Sequence, residues 1–423
     1  MSKKMDVKEF DYCRVVTTKN GWRLLKFRDE CKNTYQFVGI DSTNSKNQDI
    51  INEMLIDWTT LRNKKPELWS RFNDPVLFGD AILKKEDPVY TAIGIVGYRD
   101  EKSICAFRGR LHFSNLIQEF GPYRVKNLKL KTLEVDYQAF VYEQDTDVST
   151  IFDIISAVLK ANLDLVILRN IPKDTQFLSD FKSVECSVKS VRRLHKRYKA
   201  VLYDSENNEL QRYCSSKTLK KLRYRSRKLD KYFDGDVRVD VITKPDEIPD
   251  FIEHAGKIVE QTYQHALGIG IRRNDKALAG YLRQLSEKRV LRGYVLYARN
   301  EAIAYMVGDF ISNRYSLWAT SYLPEYADLS PGTVLIYHAI QDLIENGCHV
   351  FDFGVGDSRY KRIFSNSVLE EVDIFLFNGN SRSMLAYAIT SNLEYGWGLL
   401  RKILEKKNLL DKTRRFVRSR LAN

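Results

Sequence analysis

The 423-residue sequence has no apolar run approaching the roughly 18 residues of a membrane span. Its first stretch, MSKKMDVKEFDYC, carries charge where a secretory leader would carry an apolar core. The chain therefore reads as soluble, unexported and cytoplasmic. Cysteine is scarce: Cys13, Cys31, Cys105, Cys186, Cys214 and Cys348 are the six present, far apart and without a C-x-x-C pair. That spacing argues against a zinc site and against a disulfide framework, and it fits a reducing compartment. His254, His265 and His338 show no metal-ligand spacing, so no metal is expected. No Ser-His-Asp or Cys-His arrangement is recognisable, and a covalent enzyme intermediate is not expected.

What is present is apolar mass and positive charge. At 43% apolar and 12% aromatic, the chain can bury substantial cores, and its length predicts two or three domains. The net charge is +13, from 68 Lys and Arg against 55 Asp and Glu. Two segments hold much of the excess: 212–231, RYCSSKTLKKLRYRSRKLDK, and 401–420, RKILEKKNLLDKTRRFVRSR, with nine cations each. Such clusters attract phosphates, nucleic acid, anionic lipid or acidic sugars, and their sign alone does not choose among these.

The second half is strongly patterned. Residues 236–243 alternate as a strand, and a helix is expected after Pro245 with Phe251, Ile252, Ala255, Ile258 and Val259 along one face. A second helix covers 275–287. VLRGYVLYARNEAIAYMVGDF then reads as two strands joined at Asn300, and RYSLWATSY adds a third antiparallel strand. The segment DLSPGTVLIYHAIQDLIENG, 328–347, starts a helix that turns Ile336, Ala339, Ile340, Leu343 and Ile344 to one side, with Gly347 at its C-terminal end. HVFDF, a short helix and VDIFLF complete the order β-α-α-β-β-β-α-β, helix, strand. Pro331 suits a first helical turn and Gly332 permits close approach. Bare N–H groups and the positive end of the helix dipole would then face an anion. A plain helix start with proline in its first turn is the competing reading.

Four motifs between about 212 and 377 carry a family likeness: LKKLRYRSRKL, EQTYQHALGIG, YADLSPGTVLIYHAI and FDFGVGDSRYKRIF. In order and spacing they resemble the CelD/BcsL-type acetyltransferases of the GNAT superfamily, relatives of the FemABX aminoacyl transferases, and the element order is the GNAT topology. The first half resembles the same fold more faintly. DPVYTAIGIVGY and LEVDYQAFVYE read as strands, VSTIFDIISAVLKAN as a helix and LDLVILRN as the returning strand. The expectation is an α/β (α+β) protein of tandem GNAT-like domains, each a mixed, mostly antiparallel sheet flanked by helices. Residues 1–203 would be the N-terminal domain, 204–380 the acyltransferase domain and 381–423 a basic helical tail. Where the second half has YLPEYADLSPG, the first has EQDTDVST, with Glu143, Asp145, Asp147 and no glycine. Carboxylates there would repel a phosphate, so cofactor binding is assigned to the second half only.

The resemblance implies that Ser330, Pro331, Gly332, Thr333 and Val334 hold the pyrophosphate of acetyl-CoA or another acyl-CoA, with the pantetheine arm between the strands flanking their helix. The loop departs from the Arg/Gln-x-x-Gly-x-Gly/Ala pattern of many superfamily members by offering one glycine. Tyr360 stands where GNAT enzymes often place the tyrosine that protonates the departing thiolate, and it is the candidate general acid. Lys361 would neutralise phosphate or polarise the acceptor; a solvated Tyr-Lys pair is the plainer alternative. Asp352 alternates against Phe351 and Phe353 in a strand expected to be buried, where a carboxylate needs either partners or a chemical role. Arg223 and Arg227, one helical turn apart, would clamp a carboxylate or phosphate, or else belong to a solvated basic face opposite Leu219, Leu222 and Leu229. His265, Trp318 and Asp357 complete the expected substrate contacts.

The resulting expectation is an acyltransferase, in first place an N-acetyltransferase, moving an acyl group from acyl-CoA to an amine or hydroxyl of a sugar, polysaccharide precursor or cell-envelope molecule. Two alternatives stand beside it: a Fem-like peptidoglycan transferase using aminoacyl-tRNA, and a non-catalytic basic module binding nucleic acid or membrane. The tail, with Leu400, Leu404, Leu410, Val417 and Leu421 among its cations, either packs on the protein or touches an anionic membrane surface.

Overall fold

The computed structural model describes residues 14–17, 23–28, 34–38, 48–64, 91–99, 102–120, 123–143, 151–152, 155, 158–159, 163–183, 189–204, 209–210, 213–266 and 270–406. Its first strands are β1 (Arg14–Thr17), β2 (Arg23–Arg28), β3 (Thr34–Val38), β4 (Thr91–Arg99), β5 (Lys102–Phe120), β6 (Tyr123–Asp136), β7 (Val141–Tyr142), β8 (Leu165–Pro172) and β9 (Lys189–Val201). Then come β10 (Tyr203–Asp204), β11 (Glu209–Leu210), β12 (Val237–Ile242), β13 (Leu291–Ala298), β14 (Glu301–Ile311), β15 (Arg314–Tyr322), β16 (Val350–Val355) and β17 (Ser367–Phe377). The helices are α1 (Gln48–Asn63), α2 (Gln176–Ser183), α3 (Ser216–Tyr232), α4 (Ile248–Glu260), α5 (Tyr263–Ala266), α6 (Lys276–Glu287), α7 (Pro331–Glu345), α8 (Arg359–Phe364) and α9 (Ser381–Lys406).

Two compact units divide the chain, residues 1–194 with 371–400 and residues 195–370 with 401–423. The divisions fall inside β9, β17 and α9, so both units are discontinuous, whereas the sequence pattern divides the chain into continuous segments at 203/204 and 380/381.

In the first unit, β4, β5 and β6 form an antiparallel meander, while β1, β2 and β3 form a separate antiparallel sheet. β6 then pairs in parallel with β8 over five residues, Thr132↔Leu165 through Asp136↔Arg169. β17 closes the sheet antiparallel to β8, from Glu371↔Pro172 to Phe377↔Leu165. A parallel pair needs a crossover. Helical positions Ile151, Phe152, Ile155 and Leu159 lie in that connection and share a core with Phe107, Phe140, Phe177 and Ile374. LEVDYQAFVYE is not the single strand its pattern predicts. Asp136 Oδ1 accepts from Gln138 N at 2.9 Å, a short helical turn follows over Tyr137–Ala139, and β7 pairs back onto β5.

In the second unit, β12 to β15 run antiparallel in sequence order, β16 pairs in parallel with β15, and β16 is closed by the antiparallel residues Arg197–Val201 of β9. Both units therefore have the expected class of mixed, mostly antiparallel sheet flanked by helices. α4 forms where periodicity placed it: Glu247 Oε2 accepts from Thr243 N and Lys244 N at 2.9 Å each, and Phe251, Ile252, Ala255, Ile258 and Val259 are buried. α6 is capped by Asp275, whose Oδ1 accepts from Leu278 N at 2.9 Å. At the end of α7, Gly347 adopts φ +78, its N–H reaches Ile344 O at 3.0 Å and Cys348 N reaches Leu343 O at 2.9 Å. This double closure needs a residue that accepts positive φ, which explains the glycine after Asn346. Arg292 of β13 holds Asp342 of α7 at 2.6 Å, and Tyr294 Oη donates to the same carboxylate at 2.7 Å, tying the helix to the sheet.

Candidate functional site

The site begins where two strands part. β15 and β16 pair over three residues, Arg314↔Val350, Tyr315↔Phe351 and Ser316↔Asp352, although β15 continues to Tyr322 and β16 to Val355. Both depart from regular geometry just past the last shared pair. Opposite β14, the register jumps from Gly308↔Leu317 to Val307↔Ala319 and leaves Trp318 as an extra residue; opposite β9, β16 shifts between Asp352 and Val355. Bulges bend strands and redirect side chains. Gly354, with φ +71, takes the left-handed turn required in β16, and its N–H donates to Asp352 Oδ1 at 2.8 Å. In the first unit the equivalent parallel pair stays joined for five residues without a shift.

β15 leads into α7. Ser330 stands in the left-handed region with φ 58 and ψ 47, and its carbonyl accepts from Thr333 N at 3.0 Å and Val334 N at 3.1 Å. Pro331 has no N–H to offer, so Gly332 carries the first free-standing donor of the helix, at the positive end of its dipole. Pro331 and Val334 are buried, whereas Ser330, Gly332 and Thr333 are half-buried. The expected room above Gly332 is partly filled: an added Cβ would stand 3.0 Å from Tyr322 Cδ1. The glycine thus serves the packing of an aromatic ring as well as access to the backbone.

Past the parting, β16 leads to α8 through Gly356, Asp357 and Ser358. Asp352 is 2% exposed and bridges to Arg197 Nη1 at 3.0 Å and to Arg314. Burial pushes its carboxyl pKa up, yet Arg197, Arg314 and Lys199 more than reverse this and hold it at about 2. Asp352 is expected from the sequence to need either partners or a chemical role; its partners are two guanidinium groups and the Gly354 N–H. A carboxylate so held stays ionised and suits the positioning of cations better than proton transfer. Lys361 is buried, and its Nζ donates to Val355 O at 2.6 Å and Gly354 O at 3.3 Å. Burial pulls its pKa down, against the field of Asp352, to about 8. Tyr360 is half-buried, its ring edge-on to Phe353 at 6.1 Å. Asp357 accepts from Tyr198 Oη at 3.0 Å and Arg362 Nη1 at 3.1 Å. Ser358 Oγ is buried without a hydrogen-bond partner.

The remaining expected contacts lie in other places. Trp318 occupies the bulge of β15 and stacks on Tyr281 of α6 at 5.7 Å. His265 is exposed on the short α5, while its neighbour Gln264, which the sequence did not single out, turns towards β15. Gln264 Nε2 donates to Thr320 O at 3.3 Å, and its Oε1 is buried and unpaired. Only that one-sided pairing of a buried amide marks it; an amide in YQHA carries no chemical signal. Arg223 and Arg227 are exposed on α3, which meets α7 through Ser226 Oγ and His338 Nε2 at 2.9 Å and through Lys228 Nζ to Asp328 O at 3.3 Å.

Of the acidic loop in the first unit, Glu143 pairs with Lys64, whereas Asp145 and Asp147 lie outside the described residues. The tail is helical to Lys406, and Leu410, Val417 and Leu421 lie outside the described residues. A cavity of about 470 Å³ sits by Lys244, Leu291 and Phe310, at the opposite end of the strands from Tyr322, and contributes nothing to this site. Among the described residues no His, Cys, Asp or Glu group is placed to hold a metal ion, and no helix is long and apolar enough to cross a membrane.

Residues 216–362, about a third of the chain, match the family model described as the acetyltransferase (GNAT) domain. No curated protein matches. Among solved structures, the C-terminal domain of a putative lysylphosphatidylglycerol synthetase from Agrobacterium fabrum is 12% identical, over 80% of this chain and 96% of its own, with TM-score 0.49. FemX is 12% identical over 71% of this chain and 91% of its own, with TM-score 0.49. A tandem GNAT protein from the clavulanic acid biosynthesis pathway is 11% identical over 82% and 99%, with TM-score 0.45.

Proposed function

We propose that the GNAT domain over residues 216–362 transfers an acyl group, acetyl in first place, from acyl-CoA to an amine or hydroxyl of a sugar, polysaccharide precursor or cell-envelope molecule. The observation that carries this reading is the parting of β15 and β16 after three shared residues, with β15 running on to Tyr322 and a short helical turn, Pro324–Leu329, leading into the N-terminus of α7. Strands that separate free backbone donors and acceptors along their facing edges, and an extended amide-bearing arm can use them. An acyl thioester supplies an activated carbonyl and a thiolate leaving group. The chain would do the rest. Gly332 N–H and the α7 dipole would hold the diphosphate. Gln264 would lend its unpaired Oε1 to a donor N–H in the opening. Lys361, with a pKa lowered to about 8, would steady negative charge, and Tyr360 would deliver a proton to the leaving sulfur. Asp352, fixed by Arg197 and Arg314, would position these groups. The five-residue parallel pairing in the first unit supports one donor site per chain.

Thermal melting with acetyl-CoA tests the assignment. A ligand at 100 times its dissociation constant stabilises the fold by about 2.7 kcal/mol. The parent protein should gain that stability, and Gly332→Asp, which adds bulk and negative charge, should lose the gain. Calorimetry should return one site per chain. If no acyl-CoA shifts the melting temperature, the donor assignment fails. Transfer RNA retained in native mass spectra would then favour the aminoacyl-transfer alternative, to which the cations of α3 are suited.

A further inference from the structure

α3 has a basic face of which the fold uses one cation, Lys228 to Asp328 O at 3.3 Å. Leu222 and Leu229, seven residues apart and fully buried, fix the side that packs inward. The opposite side carries Lys217, Lys220, Lys221, Tyr224, Arg227, Lys228 and Lys231 in one stripe, all exposed, with Tyr232 beside it. The tyrosines stand well clear of the surface, Tyr224 at 68% and Tyr232 at 59% exposure. Residues 217 to 231 span about 21 Å of helix axis. Asp230 is the single acid within the helix. Lys217, Lys220, Lys221 and Lys231 have no ion-pair partner among the described residues.

Uncompensated cations on an amphipathic helix attract phosphate-bearing surfaces, and two classes of partner fit that chemistry in principle. The details favour lipid. The stripe is a convex ridge, whereas single-stranded nucleic acid is held in a groove. Five of its six cations are lysines, compact charges with no fixed fork to match a phosphate bidentately, and Arg227 alone offers such a fork. Its aromatic members are tyrosines, an apolar ring with a polar tip, suited to the boundary between headgroups and water. We propose that this face of α3 docks the protein on an anionic lipid bilayer. The stripe would lie along the headgroup plane with Tyr224 at its centre, and the entrance beside α7, to which α3 is joined through Ser226 and His338, would stand near that plane.

Sedimentation of the full-length protein with vesicles tests this, using phosphatidylcholine alone and phosphatidylcholine mixed with phosphatidylglycerol. Binding should require phosphatidylglycerol and weaken as salt rises. Each cation near the surface raises partitioning about fivefold, so Lys217→Glu/Lys221→Glu/Lys231→Glu should lose at least about 100-fold. All three positions are exposed, so the variant should keep the parent's melting temperature; if it does not, Lys217→Gln/Lys221→Gln/Lys231→Gln gives the same reading with less repulsion. Tyr224→Ser should lose several-fold with an unchanged salt slope. The proposal is overturned if the triple variant binds vesicles as well as the parent, since the basic tail would then account for docking. It is also overturned if pure phosphatidylcholine binds equally, or if a structured RNA displaces the vesicles at equal phosphate concentration, which would make nucleic acid the partner.

Discussion

The ring of Tyr322 lies against Gly332, so close that a Cβ on the glycine would stand 3.0 Å from Tyr322 Cδ1. The last residue of β15 thus packs on the first donor of α7. Gly332→Ala gains helix propensity but must push the ring aside, and the two effects oppose each other. Their coupling can be measured: the alanine should be more stabilising in a Tyr322→Ala background than in the parent, by about 0.5–1.5 kcal/mol. Thermal melts of the two single variants and the double variant give this value. Additive effects would mean that the ring has room to move without cost.

Acid stability should report two carboxylates, buried Asp352 and half-buried Glu134. A carboxyl whose folded pKa lies below its unfolded value stabilises the fold above the unfolded value, and that stability is lost as pH falls through the folded one. Asp352 is held at about 2 against 3.8, burial opposing and Arg197 and Arg314 prevailing. Glu134 in the first unit is held at about 2 against 4.5, where burial is outweighed by His112, Arg169 and Arg110. Stability should therefore fall between about pH 4.5 and 2, and Asp352→Asn or Glu134→Gln should each flatten that limb. At neutral pH, Asp352→Asn should destabilise by on the order of 3 kcal/mol, because two guanidinium groups lose their shared partner. Urea titrations across that range measure both effects.

The need of Asp352 for partners was legible from HVFDF, because strand alternation puts it among buried phenylalanines. The partners were not legible. Arg197 is 155 residues away and Arg314 is 38, brought in by β9 and by the parallel pairing of β15 with β16. Local periodicity places α4, α6 and α7, and it bounds β15 residue for residue as RYSLWATSY, since those signals lie within a few residues. It says nothing of which distant strand closes a sheet, and so the segment 189–201 gave no hint that it completes the second unit. The three-residue pairing that makes the opening has the same character: it follows from two bulges, and only Gly354 in FGVG hints at one of them.

Lys361 gives a pH signature. Burial lowers its pKa to about 8, so its charge disappears just above neutrality. If that charge steadies the donor or the transition state, kcat/KM should fall as pH rises through about 8. Lys361→Arg, which stays charged, should abolish the fall while lowering the plateau. Stability should move the other way. The unfolded chain, with the ordinary value of 10.5, holds the proton more tightly, so folding becomes more favourable as pH climbs from about 8 towards 10.5. A parent rate profile that stays flat while stability rises would place Lys361 in the packing and outside the chemistry.

Tyr360 separates transfer chemistry from binding. Its ring is edge-on to Phe353 at 6.1 Å and half-buried at the start of α8, so it is held by packing and still reaches solvent. A leaving thiolate gains from a proton delivered as the carbon–sulfur bond breaks, and a phenol so placed can give one. Tyr360→Phe keeps the ring contact and removes only the oxygen, and a melting temperature measured beside kcat separates loss of fold from loss of chemistry. General acid catalysis contributes roughly 100- to 10,000-fold, and kcat should drop on that order with the acetyl-CoA dissociation constant unchanged. Slow hydrolysis of acetyl-CoA, followed by release of free thiol, provides the assay until an acceptor is identified. Equal loss in binding and turnover would make Tyr360 a donor contact. Full retention of activity would mean that water or another side chain protonates the sulfur and that Tyr360 is a packed aromatic.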